Sequence, residues 1–411
     1  MNIEMITKRI SKDLQTLGGF TSTPGNGCTR LPFTKEAREA VNYLRTAMTE
    51  AGLDIHEDEA GNLIGVLYGE DREAPAVVMG SHYDTVLNGG CFDGIAGVIS
   101  AIEIARLMKE NNVKLKRNFV VIGFCDEEGL RFGTGYFGSK AMLGQLTMKD
   151  LTDFKDRDGI SVYDAMKGYN LVPEKIFDAK VDLEKIKSFI ELHIEQGPVL
   201  DARKVEIGLV ECIVGIQRYM ITVHGRADHA GTTPMDMRID AVEAATKVIS
   251  KIPDWAREKG DGSVATTGFM KVLPGGMNVV AESVEFSVDI RSRNNDNIND
   301  ITAKIKAELD KQCAAVGGSY DIATKLIITP VHLCEPMLDV LEESCKEHGY
   351  SYQRIVSGAG HDALAIGQVL NTVMVFVPSK DGRSHCPVEW TEYMDFAKAI
   401  TVTYDLVMSQ Q

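Results

Sequence analysis

Short apolar runs alternate with a helical pattern in the first half of the chain. Residues 76–80 and 119–125 contain no charged residue, and polar residues follow each run directly. Such runs are typical of strands buried on both faces of a parallel sheet. Between them, apolar residues recur at helical spacing over residues 93–110, which predicts a crossover helix. Residues 188–192 predict a third strand. The pattern therefore indicates an α/β fold with a mostly parallel sheet flanked by helices.

The pattern changes after about Cys212. The order strand–helix–strand–strand–helix–strand, ending near Thr329, is typical of a small ferredoxin-like α+β sheet. We therefore expect an inserted domain over residues 213–329, with residues 1–212 and 330–411 forming the first domain. The predicted elements of the insertion are a strand at 218–223, a helix at 239–252, strands at 263–273 and 279–291, and then a further helix and strand. An apolar strand at 372–377 should return the chain to the first sheet.

Composition and charge exclude several classes of function. Of 411 residues, 44% are apolar and 25% charged, and the net charge of -15 opposes the electrostatic attraction on which nucleic-acid binding depends. No apolar run approaches the roughly 18 residues that a membrane span needs. The first residues lack the apolar segment of a signal peptide, so we expect a cytoplasmic protein without nucleic-acid or membrane partners. The eight cysteines form no CxxC pair and are expected to be reduced thiols.

Polar residues capable of binding metal follow the predicted strands. His82 comes directly after the first strand, Asp93 stands at the start of the helix, and Glu127 and Glu128 follow the second strand. The carboxyl ends of parallel strands lie at one edge of a sheet, where α/β proteins bind their ligands. Imidazole and carboxylate groups together are ligands for zinc, manganese, cobalt and nickel. Two adjacent carboxylates also repel each other unless a cation lies between them.

Three more residues fit this picture. Asp84 lies two positions after His82, on the same side of an extended chain, and can accept the free imidazole N–H and so fix its tautomer. His193, in the segment ELHIEQG, and His385, in GRSHCP, supply two further nitrogens.

Nine segments spread over nearly the whole chain resemble the M20 peptidase/aminoacylase superfamily of dinuclear metallohydrolases. They are GSHYDTV, NGGCFDG, DEEGLRF, ELHIEQG, HAGTTPM, NVV, SVDIR, SGAGHDA and SHCPVEW. The closest similarity is to the branch that holds allantoate amidohydrolases, N-carbamoyl-L-amino acid hydrolases and β-ureidopropionases. Peptidase members have a carboxylate where this chain has His193, which favours the ureido-cleaving branch.

The resemblance implies two divalent ions per subunit, with zinc favoured and manganese, cobalt or nickel as alternatives. One ion would be held by His82, Asp93 and His193, and the other by Asp93, Glu128 and His385, so that Asp93 bridges them. Glu127 would then be the general base that activates water and returns the proton to the leaving nitrogen.

The resemblance also assigns residues of the inserted domain. His229 would cross the interface of a homodimer formed through that domain and help a metal to stabilise the tetrahedral oxyanion in the partner's active site. The inserted domain would act as a lid, and an anionic ureido substrate would be bound by a set of pocket residues. These residues are Gln196, Arg218, Asn278, Arg291, Gly360 and His361.

The substrate itself depends on weaker signals. The segment around Arg218 is most similar to allantoate amidohydrolases, because N-carbamoyl amino acid hydrolases often have an aromatic residue there, and allantoate is therefore favoured. The NGGCFDG segment is equally similar to the N-carbamoyl enzymes. An aminoacylase or dipeptidase is a further alternative, against which His193 argues. A non-catalytic binding protein would need a gap in the ligand set, and the sequence has none.

Overall fold

The computed structural model describes residues 1–411 and divides into two compact units. The first comprises residues 1–211 and 333–411, and the second residues 212–332. Each unit has its own hydrophobic core. None of the helices is both long and apolar enough to span a bilayer.

Fourteen strands, numbered in chain order, form two sheets. They are β1 Asp54–Glu57, β2 Leu63–Leu67, β3 Ala76–His82, β4 Phe119–Phe124, β5 Ile186–Ile194, β6 Ile207–Ile213, β7 Gly215–His224, β8 Val264–Thr266, β9 Met270–Leu273, β10 Ser283–Ser292, β11 Ser319–Ile328, β12 Val331–His332, β13 Tyr352–Ser357 and β14 Thr372–Val377.

Thirteen α-helices accompany them. They are α1 Ile3–Gly18, α2 Lys35–Ala51, α3 Ile95–Glu110, α4 Phe137–Met142, α5 Met148–Asp153, α6 Val162–Gly168, α7 Val199–Arg203, α8 Ala241–Ile249, α9 Ile252–Arg257, α10 Asn295–Val316, α11 Glu335–His348, α12 Asp362–Ile366 and α13 Tyr393–Ser409.

The first unit is built on a nine-stranded mixed sheet in the order β1-β2-β4-β3-β5-β14-β6-β12, with β13 also paired to β6. Its four central strands, β4, β3, β5 and β14, are parallel, and the outer strands are antiparallel. Every residue of β3 and β14 is buried, as their uncharged sequences predict. The α/β fold with a crossover helix between β3 and β4 is confirmed, because α3 occupies that position.

The second unit is a five-stranded antiparallel sheet in the order β11-β7-β10-β8, with β9 also paired to β10. This is the ferredoxin-like arrangement, in which the last strand of the unit lies beside the first. Alternate residues of β10 are buried along its whole length. The buried face packs against α8 and α10, and the opposite face carries polar side chains.

Two elements of the second unit differ from the predicted ones. The strand expected at 263–273 is divided into β8 and β9 by a one-residue shift in its pairing with β10, because Thr266 pairs with Asp289 whereas Met270 pairs with Phe286. The helix expected at 239–252 ends at Ile249. Pro253 has no N–H to donate to the Ile249 carbonyl, and it occupies the first turn of α9 instead.

Candidate metal centre

The carboxyl ends of the four parallel strands bring the predicted ligands to one edge of the sheet. His82 is the last residue of β3, and His193 is the last but one of β5. Glu127 and Glu128 follow the end of β4, and His385 follows the end of β14. Since these strands run parallel, residues separated by as many as 303 positions in the sequence become neighbours.

Asp93 reaches this edge because the chain turns sharply before α3. Gly94 has φ +65° and ψ -59°, and a Cβ at this position would lie 2.3 Å from Cε1 of His82. Only glycine combines this backbone conformation with so close an approach. Gly94 therefore lets Asp93 lie beside the His82 ring.

The two carboxylate oxygens of Asp93 face two different sets of ligands. Oδ1 lies 3.1 Å from Nε2 of His193 and 3.7 Å from Nε2 of His82. Oδ2 lies 3.0 Å from Nε2 of His385, which in turn lies 3.4 Å from Oε1 of Glu128. Two trios of possible metal ligands thus share Asp93, and they are the trios that the resemblance implies.

The Nε2 atoms of two histidines face Asp93. Nδ1 of His82 lies 3.1 Å from the Asp84 carbonyl, and Nδ1 of His193 lies 2.9 Å from the Ile194 carbonyl. A carbonyl can only accept, so each Nδ1 carries a hydrogen. Nε2 of His193 accepts the backbone N–H of Gly94 (3.3 Å), so this nitrogen has a lone pair beside Asp93 that suits a shared cation.

The buried oxygens of this edge also fit metal binding. Asp93 Oδ1 and Glu128 Oε1 are buried and accept no hydrogen bond of regular geometry. Buried polar atoms without partners are rare and need an explanation such as an ion. Two trios of imidazole and carboxylate donors match zinc and its neighbours, with three protein ligands for each ion. The residues present therefore fit two divalent ions.

Glu127 is buried beside the two trios. Its Oε2 lies 3.8 Å from Nε2 of His82, and only 7% of the residue is exposed. Burial raises the pKa of the Glu127 carboxyl well above its usual range, and the neighbouring Glu128 raises it further. Glu127 also forms a possible ligand trio with His82 and Glu128, whereas the two trios that share Asp93 do not include it.

The contacts of the Asp84 carboxylate differ from the predicted ones. Its carboxylate lies 3.6 Å from Nδ1 of His82, beyond hydrogen-bond distance, and the backbone carbonyl of Asp84 accepts that hydrogen instead. The carboxylate oxygens accept the backbone N–H groups of Glu127 (3.1 Å) and Glu128 (3.3 Å). Asp84 therefore positions the loop that carries both glutamates, and its backbone fixes the His82 tautomer.

Glu389 is a buried residue of the site that the sequence analysis did not identify. Its Oε1 accepts the backbone N–H groups of Phe92 (3.1 Å) and Asp93 (3.2 Å), and its Oε2 accepts the Ser384 hydroxyl (2.7 Å). Glu389 thus ties the Asp93 loop to the segment that carries His385. The sequence feature that could have indicated this role is the position of Glu389, four residues after His385 within the SHCPVEW segment.

Three non-glycine residues of this edge have left-handed backbone conformations: Asp126 (φ +57°), Gln196 (φ +57°) and His385 (φ +56°). Such conformations are uncommon outside glycine and concentrate at functional sites. Gln196 donates from Nε2 to Asp93 Oδ2 (2.9 Å), and its buried Oε1 has no partner. The predicted pocket residue Gln196 therefore contacts the bridging carboxylate.

The other predicted pocket residues of the first unit lie behind His193. The His361 ring packs edge-on against the His193 ring, with centroids 4.5 Å apart, and its Nε2 lies 2.9 Å from Ser357 Oγ. Burial lowers the pKa of His361 well below its usual value, so the ring is neutral. A Cβ on Gly360 would lie 1.8 Å from the Tyr136 hydroxyl. The backbone at residue 360 can therefore lie this close to the hydroxyl only because the residue is glycine.

The predicted arginines of the second unit share one carboxylate. Arg218 and Asp289 are directly opposite each other on β7 and β10, and Arg218 Nε donates to Asp289 Oδ2 (2.5 Å). Arg291 Nε donates to Asp289 Oδ1 (2.9 Å). Although burial opposes it, hydrogen bonds from Arg291 and Arg218 hold the pKa of Asp289 below its usual value. The open sheet face therefore carries two cations and one anion in contact.

His229 and Asn278 lie on neighbouring segments of the same unit. A backbone hydrogen bond from Ala230 N–H to the Asn278 carbonyl (2.9 Å) and a bridge between His229 and Val279 hold them together. Nδ1 of His229 accepts the N–H of Gly231 (3.0 Å). Both side chains are exposed.

Comparison with known proteins identifies the family. The family model described as peptidase family M20/M25/M40 matches residues 78–409, a range that contains both ligand trios. The chain belongs to the M20/M25/M40 peptidase family. The solved amidase structure described below shares the mixed α/β fold found here.

Its relatives include ureido-cleaving enzymes. An N-carbamoyl-L-amino-acid amidohydrolase of Paenarthrobacter aurescens is 40% identical over 395 residues, which is 96% of each chain. An allantoate amidohydrolase of Escherichia coli (strain K12) is 35% identical over 393 residues, which is 95% of each chain. Among solved structures, an amidase of the hydantoinase/carbamoylase family from Burkholderia multivorans has a TM-score of 0.90 and 30% identity, covering 98% of this chain and 97% of the other.

Proposed function

We propose that this chain is a metal-dependent amidohydrolase that cleaves the linear ureido C–N bond of a small anionic substrate, with release of ammonia and carbon dioxide. One observation carries the proposal: Nε2 of His193 and Nε2 of His82 lie 3.1 and 3.7 Å from the buried Oδ1 of Asp93, while Nε2 of His385 lies 3.0 Å from its Oδ2. Two cations that share Asp93 fit this arrangement. Relatives named for ureido and carbamoyl hydrolysis, matched over nearly the full chain, supply the reaction class.

In this proposal His82, Asp93 and His193 hold one divalent ion, and Asp93, Glu128 and His385 hold the other, with zinc favoured. Bound ions of this kind polarise a carbonyl group and make water acidic enough to act as a nucleophile near neutral pH. The chain supplies the proton transfers. Glu127 takes the proton of the attacking water and gives it to the leaving nitrogen, because its carboxylate lies beside both ligand trios.

Two substrates are candidates, and different observations favour them. Four relatives named N-carbamoyl-L-amino-acid or N-carbamoyl-L-amino acid amidohydrolase are 34–40% identical to this chain, and two named allantoate amidohydrolase are 33–35% identical. The arginine at position 218 favours allantoate. Both substrates present a ureido group and a carboxylate, so the proposed chemistry is the same.

A substrate panel tests the reaction class and decides between the candidates. Purified enzyme loaded with zinc or manganese would be given allantoate, several N-carbamoyl-L-amino acids and 3-ureidopropionate, and ammonia release would be measured. We expect turnover of at least one ureido substrate. N-acetyl amino acids and dipeptides are the matched controls, and turnover of these alone would replace the proposal with an aminoacylase or dipeptidase.

We further propose that the second unit binds the substrate carboxylate and forms a homodimer. Arg291 presents the planar guanidinium that suits a carboxylate, Asn278 and Arg218 lie on the same unit, and His229 completes the partner's site. The exposed positions of His229 and Asn278 support this assignment.

A complementation experiment tests the shared site. The His229→Ala and Glu127→Gln chains are each expected to be inactive, but after subunit exchange some heterodimers would contain one intact site. Regained activity on mixing is expected. Heterodimers without any recovery would mean that His229 acts within its own chain or has no part in catalysis.

A further inference from the structure

Arg30 is a fully buried arginine whose partners include no carboxylate. Its Nε donates to the Tyr83 carbonyl (2.6 Å), and Nη1 donates to the Leu17 carbonyl (2.8 Å) and lies 3.5 Å from Cys28 Sγ. Nη2 is buried and has no partner. A buried guanidinium normally requires an anion nearby. Among the hydrogen-bond acceptors of Arg30, the Cys28 thiol is the one that can ionise.

The surroundings of Cys28 favour its thiolate. Hydrogen bonding from Cys91 and the positive charge of Arg30 together lower the pKa of the Cys28 thiol to about 6, although burial opposes the shift. A thiol in this environment is mostly ionised at neutral pH. Cys28 is therefore a nucleophile that the proposed hydrolytic reaction does not use.

The backbone places the two cysteines together. Cys28 and Gly89 form an isolated bridge with two backbone hydrogen bonds, both of 2.9 Å, and Cys91 follows two residues later. Cys91 Sγ packs against Gly18, where a Cβ would lie 2.9 Å from the sulfur. Cys28 is fully buried, whereas Cys91 is partly exposed and gives the pair access to solvent.

We propose that Cys28 and Cys91 form an oxidisable dithiol, a site that hydrogen peroxide converts to an intramolecular disulfide. The Cys28 thiolate attacks one peroxide oxygen and breaks the O–O bond, which gives a sulfenic acid and, with one proton, water. The Cys91 sulfur then attacks the Cys28 sulfur and displaces the sulfenic oxygen, which leaves as a second water with the Cys91 proton. Both thiols are oxidised by two electrons in total, and the peroxide is reduced to two waters.

The test counts thiols and maps the bond, and it does not depend on hydrolytic activity. The full-length metal-loaded protein would be treated with hydrogen peroxide, quenched and denatured before titration of free thiols. We expect the number to fall from the eight present to six. Trypsin releases Cys28 in peptide 13–30 and Cys91 in peptide 73–106, each as the only cysteine of its peptide. Mass spectrometry should find these two peptides joined, with two hydrogens lost, and dithiothreitol should separate them.

Single substitutions provide the controls. Cys28→Ser should keep its seven thiols under the same treatment, because it lacks the attacking sulfur. Cys91→Ser should lose one thiol to a sulfenic acid on Cys28 and form no joined peptides, because it lacks the second sulfur. Cys313→Ser removes a buried cysteine of the second unit, whose thiol lies 3.7 Å from the Ser319 carbonyl, and should fall from seven thiols to five. If Cys28→Ser does not fold, Cys91→Ser alone decides. Retention of all eight thiols, a bond between other cysteines, or a bond between chains on a non-reducing gel would overturn the proposal.

Discussion

The two units of this protein carry charged clusters of opposite character. At the carboxyl edge of the first sheet, Asp93 and Glu128 each have a buried oxygen that accepts no hydrogen bond. On the open face of the second sheet, Arg218 and Arg291 both donate to Asp289. The first cluster is complete only with a cation from outside the chain, whereas the second already contains its counter-charge.

This difference shows which kind of ligand each cluster can hold. Buried oxygens without partners are costly, and a bound ion would compensate those of Asp93 and Glu128, so the first cluster should bind metal tightly. A pair of arginines with one carboxylate between them keeps a net positive charge and a fixed orientation. Such a pair is suited to bind and release a small anion on the timescale of turnover.

Removal of metal should have the largest effect. Dialysis against a chelator is expected to abolish ureido hydrolysis, and addition of zinc or manganese should restore it. Amide hydrogen exchange should rise around residues 82–94 and 124–128, because repulsion among the carboxylates is no longer compensated, and should stay unchanged in β7 and β10. Full activity in a metal-free sample would contradict the assignment of the first cluster.

Glu127→Gln should have the next largest effect, because it removes the proposed base while keeping the size of the side chain. We expect kcat to fall by about 10²- to 10⁴-fold, the usual contribution of a positioned acid or base, with both metals still bound. Glu128→Gln is the matched control and should lose one metal. Near-normal kcat in Glu127→Gln would assign the proton transfer to another group.

Glu389→Ala should weaken metal binding without removing a ligand. The loss of its acceptor oxygens frees the backbone of Phe92 and Asp93. Metal affinity should fall by about 10- to 100-fold, as for other residues that orient metal ligands. It can be measured by competition with a chromogenic chelator.

Glu389→Gln keeps an acceptor for the two N–H groups and should retain most of the affinity. Glu392→Ala, three residues away, removes a carboxylate whose partner is the Trp390 indole and should have no effect. Equal losses in the alanine variants of Glu389 and Glu392 would argue against a positioning role for Glu389.

Arg291→Lys should have the smallest effect of these changes. Lysine keeps the positive charge but not the planar pair of donors. KM for anionic ureido substrates should therefore rise by about 10-fold, which corresponds to the loss of one charged hydrogen bond, and kcat should change less. Arg257→Lys, on the surface of α9 and paired with Asp254, serves as the control. An unchanged KM would remove Arg291 from the substrate site.

Regular patterns in the sequence were sufficient to predict much of the fold. Apolar runs predicted β3, β4, β5 and β14, because a strand covered on both faces must be largely apolar. The meeting of the candidate ligands was also predictable, because residues that follow parallel strands lie at one edge, whereas their division into two trios was implied by the family resemblance. The splitting of a strand into β8 and β9 was not predicted, because it depends on a one-residue shift in pairing with the neighbouring strand.

The sequence by itself determined which side chains can bind a metal, namely His82, Asp93, Glu127, Glu128 and the other donors. Their residue types and their positions near the ends of strands and the start of a helix suffice to predict a metal site at one edge of the sheet. Only the tertiary structure decided how each side chain is used. The Asp84 carboxylate binds the loop of Glu127 and not His82, and Glu389 reaches the backbone of Asp93 across 296 positions of the chain. Hydrogen bonds are decided by distances of a few tenths of an ångström between segments remote in sequence, and no local pattern encodes those distances.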